Sequence, residues 1–115
     1  MSEKNWVAYL VRCSDKSIYC GISNNVPRRL EAHNSGKGAK YTRSRRPVEL
    51  IDFGPEMSKG EALKLEYRIK SVPADKKVFE LNKARREITI KRNIRDLRRG
   101  IKAIVKIIDK LIKEI

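Results

Sequence analysis

Residues 6–22 run Trp6-Val7-Ala8-Tyr9-Leu10-Val11-Arg12-Cys13-Ser14-Asp15-Lys16-Ser17-Ile18-Tyr19-Cys20-Gly21-Ile22, and the fold turns on them. Trp6–Val11 and Ile18–Ile22 are short β-rich runs, and Ser14–Ser17 carries turn chemistry. The stretch therefore predicts a β-hairpin. Side chains alternate across a sheet, so Tyr9 and Tyr19 share a face only if paired residue numbers sum to an even value. Pairing Val11 with Tyr19 and Tyr9 with Gly21 satisfies this and leaves space beside Tyr9. A slip of one residue puts the phenols on opposite faces.

Outward from the hairpin, Asn24-Asn25-Val26-Pro27 supplies a cap and an early proline for a helix ending near His33 or Asn34. Ser35-Gly36-Lys37-Gly38 ends it, and a basic loop, Ala39 to Pro47, leads to a third strand over Val48–Phe53. Ser58-Lys59-Gly60-Glu61 is a capping box that opens a helix through Lys70. Val72-Pro73 breaks that helix, and Ala74–Lys83 can form another. The order predicts an α+β fold: a small three-stranded, antiparallel-type sheet flanked by helices, plus a long C-terminal helix. The third strand is expected to pair with the hairpin, at an edge the pattern leaves open.

The chain has 115 residues, enough for one small domain with its own core, and a formal net charge of +14. That charge points to a polyanionic partner, nucleic acid above all. It is unevenly placed. Residues 83–115 hold 12 Lys+Arg against 4 Asp+Glu, whereas residues 1–82 hold 16 against 10. The expected organisation is a unit over 1–82 and a basic helix over 83–115. Within the latter, Ile90, Ile94, Leu97, Ile101, Ile104, Ile108, Leu111 and Ile115 alternate steps of four and three, a heptad seam. Two readings stand: a homo-oligomer formed through residues 90–115, or a long helix folded back on its own domain. Cys13 and Cys20 are too few for a disulfide-built secreted scaffold and read as small apolar fillers. The N-terminus has no signal-peptide pattern, and no apolar run approaches membrane-spanning length, so a cytoplasmic setting is expected.

Five residues stand out for chemistry. Tyr9 and Tyr19 lie on the two hairpin strands, Arg29 and His33 sit at i and i+4 of the first helix, and Glu66 lies amid Leu63, Leu65, Tyr67 and Ile69. Singly, each has an ordinary explanation. The tyrosines suit a core, His33 a helix end, and Glu66 an ion pair with Lys70. In order and together, they resemble the landmarks of the GIY-YIG nuclease domain over residues 5–80. Gly36–Arg43 with Arg46-Pro47, and Ala62–Lys70, resemble its small stand-alone subfamily. The first triplet is Val-Ala-Tyr and the second Tyr-Cys-Gly; both tyrosines and the second glycine are retained. Many members also carry an Asn after the metal glutamate; Asn82 lies downstream and is not assigned.

The resemblance implies a metal-dependent endonuclease that hydrolyses phosphodiester bonds in DNA, and the expected substrate is branched or damaged DNA in repair or recombination. Glu66 would hold one Mg²⁺ or Mn²⁺. Arg29 would hold the scissile phosphate. One of Tyr9 and Tyr19 would help deprotonate the attacking water while the other orients it, and His33 would orient a tyrosine or shuttle a proton. Lys37, Lys40, Tyr41, Arg43, Arg45 and Arg46 read as a phosphate-tracking strip beside the site. Two rivals remain: a catalytically silent nucleic-acid-binding module, and an interaction protein assembled through the heptad helix.

Overall fold

The computed structural model describes residues 3–115. Strands β1 (Val7–Arg12) and β2 (Ile18–Ser23) form the hairpin. Between them Lys16 takes a left-handed φ of 69°, and Asp15 accepts hydrogen bonds from the Ser17 amide and hydroxyl. The register sets Tyr9 opposite Gly21 and Val11 opposite Tyr19, as the alternation requires. Strand β3 (Glu49–Phe53) pairs antiparallel with β1, giving the order β2-β1-β3. As the middle strand, β1 buries every residue from Val7 to Val11, which its unbroken apolar run allows.

Helix α1 (Val26–Asn34) starts where Asn25 accepts from the Arg28 amide at 3.1 Å. At its far end the Asn34 side chain grips Val48 twice, accepting from its amide at 2.7 Å and donating to its carbonyl at 3.1 Å. That grip ties the helix to the lead-in of β3. The basic loop is more ordered than its composition predicts: it contains a short helix, α2 (Lys40–Arg43), and a cis Arg46–Pro47 peptide. Helix α3 (Lys59–Lys70) opens with the capping box complete: Ser58 accepts from the Glu61 amide, and Glu61 from the Ser58 amide. Ala62, Leu65 and Ile69 form its buried stripe.

On one sheet face Tyr9, Val11, Cys13 and Val48 form a buried cluster against which Tyr19 and Leu30 pack. Cys13 and Cys20 are buried free thiols, as expected of fillers. The helix expected over 74–83 does not stand apart from the tail. Ala74–Lys76 is one 3-10 turn, and α4 runs unbroken over Lys77–Lys113. A change in charge is not a helix breaker, and no Gly or Pro occurs between Lys77 and Arg99. Lys77 donates to the Ile69 and Val72 carbonyls at 3.0 Å each, satisfying acceptors at the end of α3. Arg85 bonds Asn82 at 2.8 Å, the Asp52 carboxylate at 3.0 Å and the Phe53 carbonyl at 2.7 Å.

Tertiary contacts divide the chain after Arg85, the second unit being Arg86–Ile115. That second unit is helical through Lys113, and its seam residues Ile90, Ile94, Leu97, Ile101, Ile104, Ile108 and Leu111 are all exposed. Among the described residues, no helix is long and apolar enough to cross a membrane.

Candidate active site

Four of the five expected residues meet on one face of the hairpin. Tyr9, fixed on the middle strand, points its phenol across Gly21. A Cβ on that glycine would lie 2.5 Å from the Tyr9 hydroxyl, so only glycine allows this path. The hydroxyl lies 2.7 Å from His33 Nε2 and accepts from Arg29 Nε at 3.4 Å. Arg29 and His33 reach it together because a spacing of four places them on one face of α1. Tyr19 packs edge-on against the His33 ring at 5.5 Å between centroids. Both tyrosines therefore border one imidazole.

The other side of that imidazole is closed by the loop. His33 Nδ1 lies 2.8 Å from Thr42 Oγ1, and both residues are fully buried. Thr42 arrives on α2. Gly38 lies so close that an added Cβ would overlap His33 Nδ1. Neither Thr42 nor Gly38 is anticipated as a site residue by the sequence. The paired glycines Gly36 and Gly38 are the one signal of a close backbone approach there.

Burial sets the protonation states. The Tyr9 phenol is pushed up to about 12, an effect the neighbouring Arg29 guanidinium partly opposes. Burial, with Arg29 adding to it, holds His33 below the ordinary imidazole value. At neutral pH the pair is a phenol and a neutral imidazole. Burial, reinforced by Glu66, also raises the Cys20 thiol to about 12, which makes it a poor nucleophile.

Glu66 stands on α3. Its carboxylate is 3.6 Å from Lys70 Nζ, the expected i,i+4 partner, and that ammonium lies 5.4 Å from the Tyr19 ring centroid. Among the described residues, no three or more His, Cys, Asp or Glu cluster as a metal cage. What the chain offers a divalent ion is one partly exposed hard carboxylate. That fits Mg²⁺ or Mn²⁺, which keep water and substrate phosphate as their remaining ligands.

The six loop residues divide in two. Lys37, Lys40 and Arg43 are exposed along the loop. Tyr41 stacks on Tyr19, with 5.8 Å between centroids and 17° between ring planes, and the Arg45 guanidinium lies 3.9 Å above Tyr41. Arg45 is also bonded to Asp15 at 2.9 Å and to the Tyr41 carbonyl at 2.8 Å. Arg46 donates to the Arg43 and Asn34 carbonyls. Asn82, unassigned from sequence, accepts from Arg85.

Known proteins resemble this chain over its first unit. The model of the GIY-YIG catalytic domain matches residues 5–78. A UPF0213 protein of Nitratidesulfovibrio vulgaris is 47% identical over 77 residues, covering 67% of this chain and 70% of that protein. One from Oceanobacillus iheyensis is 46% identical over 78 residues, covering 68% and 90% respectively. The solution structure of EF2693 from E. faecalis is 36% identical with a TM-score of 0.49, covering 72% of this chain and 90% of that one. With the family model spanning the sheet, α1 and α3, this chain belongs to the GIY-YIG family.

Proposed function

We propose that this protein is a metal-dependent endonuclease that hydrolyses phosphodiester bonds in DNA, with branched or damaged DNA of repair or recombination as its substrate. The observation that carries this reading is the 2.7 Å contact between Tyr9 and His33, with Arg29 on the same phenol. A phenol pushed to about 12 is a weak base on its own. Tyr9 can take a proton from an attacking water only while passing its own to His33, which burial keeps neutral and receptive. This favours Tyr9 over Tyr19 as the base. Tyr19, edge-on to His33 and stacked on Tyr41, is suited to orient the water or the phosphate.

Arg29 is half-buried with its Nε on Tyr9, so its remaining donors are available to a phosphate oxygen. Glu66 is the residue that would hold Mg²⁺ or Mn²⁺, and the bound ion would neutralise charge developing on the phosphate and leaving oxygen. Lys37, Lys40 and Arg43, exposed on the loop, would track the DNA backbone. Arg45 and Arg46, bonded to protein acceptors, would brace that strip. Residues 1–82 would act as the cutting unit and 83–115 as an assembly helix, whose exposed seam supports homo-oligomerisation through residues 90–115. Two buried free thiols suit a cytoplasmic setting.

The test is cleavage of plasmid and branched DNA with Mg²⁺ or Mn²⁺, wild type beside Glu66→Ala and Arg29→Ala, with circular dichroism to show that each variant is folded. Metal-dependent nicking lost in both folded variants is the expected result. DNA binding without cleavage on any of these substrates would replace this reading with a silent binding module.

A further inference from the structure

The hydrogen-bond chain that reaches Tyr9 has a fixed polarity, because its two ends are chemically one-sided. At one end Arg29 Nε can only donate to the Tyr9 hydroxyl. At the other, the Ala39 carbonyl can only accept, and Thr42 Oγ1 lies 2.9 Å from it. Ala39 also accepts the Thr42 amide at 3.1 Å, within the two-bond capacity of a carbonyl. The Thr42 hydroxyl has one proton. With that proton given to Ala39, its oxygen can only accept, so the proton between Thr42 and His33 belongs to Nδ1. A neutral imidazole carries one N–H, which leaves Nε2 bare toward the Tyr9 hydroxyl.

The opposite polarity fails at the other end. If Thr42 donated to Nδ1, Nε2–H would point at Tyr9. The phenol would then face two donors, His33 and Arg29, with its own proton left without an acceptor while the residue is 2% exposed. Both ends therefore select one tautomer.

We propose that Thr42 is a positioning residue that holds His33 as the Nδ1–H tautomer and so reserves Nε2 for the proton of Tyr9. Its catalytic value rests on the nuclease reading above; the tautomer does not. In the step it serves, the water oxygen bonds to phosphorus while one water proton passes to the Tyr9 oxygen. The phenolic proton passes to Nε2, and the imidazolium formed keeps its Nδ1–H on Thr42. The positive charge gained by His33 balances the negative charge gained by the phosphate. The bond from phosphorus to the leaving oxygen breaks with its electron pair on that oxygen, which solvent protonates, and His33 returns its proton to solvent. The fold builds this contact on purpose-shaped backbone: α2 carries Thr42 inward, and Gly38 leaves no atom where a side chain would displace the ring.

His33 is the only histidine in the chain, so a long-range proton–nitrogen correlation spectrum of the full-length protein at neutral pH contains one imidazole. We expect wild type and Tyr9→Phe to show a protonated Nδ1 and a bare Nε2. With the Tyr9 end already removed, Tyr9→Phe/Thr42→Val should lose this preference, with mixed or Nε2–H signals, and Tyr9→Phe/Thr42→Ser should restore it. Cleavage by Thr42→Val should fall roughly tenfold or more, within the range of a general-base contribution, and recover in Thr42→Ser. A wild-type His33 found as Nε2–H, or a tautomer unchanged between folded Tyr9→Phe and folded Tyr9→Phe/Thr42→Val, overturns the proposal. If Tyr9→Phe/Thr42→Val does not fold, the wild-type and Tyr9→Phe spectra still decide the tautomer. If the spectra follow expectation but wild type cuts no DNA, the nuclease reading fails and the tautomer assignment stands.

Discussion

Replacing Gly21 by alanine sets a methyl group 2.5 Å from the Tyr9 hydroxyl, 2.7 Å from Cζ and 3.0 Å from Cε1. Comfortable separation for such atoms is about 3.5 Å or more, so the phenol must retreat by roughly 1 Å. Tyr9 is 2% exposed and has no solvent-filled space to enter. A retreat of that size is enough to carry the hydroxyl out of its 2.7 Å bond with His33. Overpacking costs about 1–3 kcal/mol, and the lost hydrogen bond about 1 kcal/mol more. Relief of glycine's backbone entropy returns about 0.5–1 kcal/mol. The net expectation is a loss of about 1–3 kcal/mol, each worth about 4–8 °C in melting temperature for a unit of this size. Urea unfolding gives the free energy, and a plasmid-nicking assay gives the site readout, expected to fall roughly 100-fold. Gly100→Ala is the control, because an added Cβ in that helix meets nothing within 4 Å. It should be neutral or stabilising by up to about 1 kcal/mol. A Gly21→Ala protein within about 0.5 kcal/mol of wild type, cutting normally, would refute the steric reasoning.

Tyr9 should also give alkaline sensitivity. Its phenol titrates near 10 when unfolded and about 12 when folded, so its contribution is complete below pH 10 and is lost as pH rises through 12. The difference in urea stability between wild type and Tyr9→Phe should therefore shrink by about 2–3 kcal/mol across that window. Arg85→Ala removes two bonds that tie the start of α4 to β3, at Asp52 and Phe53, and one within α4, at Asn82. With the partly exposed Asp52 pair contributing little, chemical denaturation should show a loss of about 1–2 kcal/mol. Glutamates at Ile94 and Ile101 place charge in the heptad seam; sedimentation should show a shift to monomer, and an unchanged mass distribution would count against assembly through this helix.

The hairpin and its register were legible because turn residues and a period of two leave few ways to place two tyrosines on one face. The capping box of α3 and the cap of α1 were legible because local hydrogen-bonding chemistry decides them. The unbroken apolar run Val7–Val11 is what a middle strand requires, but the pattern of Val48–Phe53 leaves open which edge of the hairpin it joins. Helix α2 has four residues and no apolar period, so a basic loop was the natural reading. Thr42 gives no sign of its role in residue type or spacing, since its partners His33 and Ala39 are brought to it by tertiary closure. Likewise, Arg43 and Arg45 look alike in sequence. Only the fold separates an exposed arginine from one held between Asp15 and the Tyr41 ring.

The place of Tyr9 on the middle strand has a consequence for motion. With pairing on both sides, the amides of β1 open only when the sheet itself comes apart, so their hydrogen exchange should run at the global limit. The Tyr9 phenol is then carried by the strand that is paired on both sides. The exposed Lys37, Lys40 and Arg43 adjust instead through their own long side chains, because the backbone that carries them also holds the buried Thr42. Such a division would let the exposed side chains conform to an irregular substrate while the Tyr9–His33 distance stays constant.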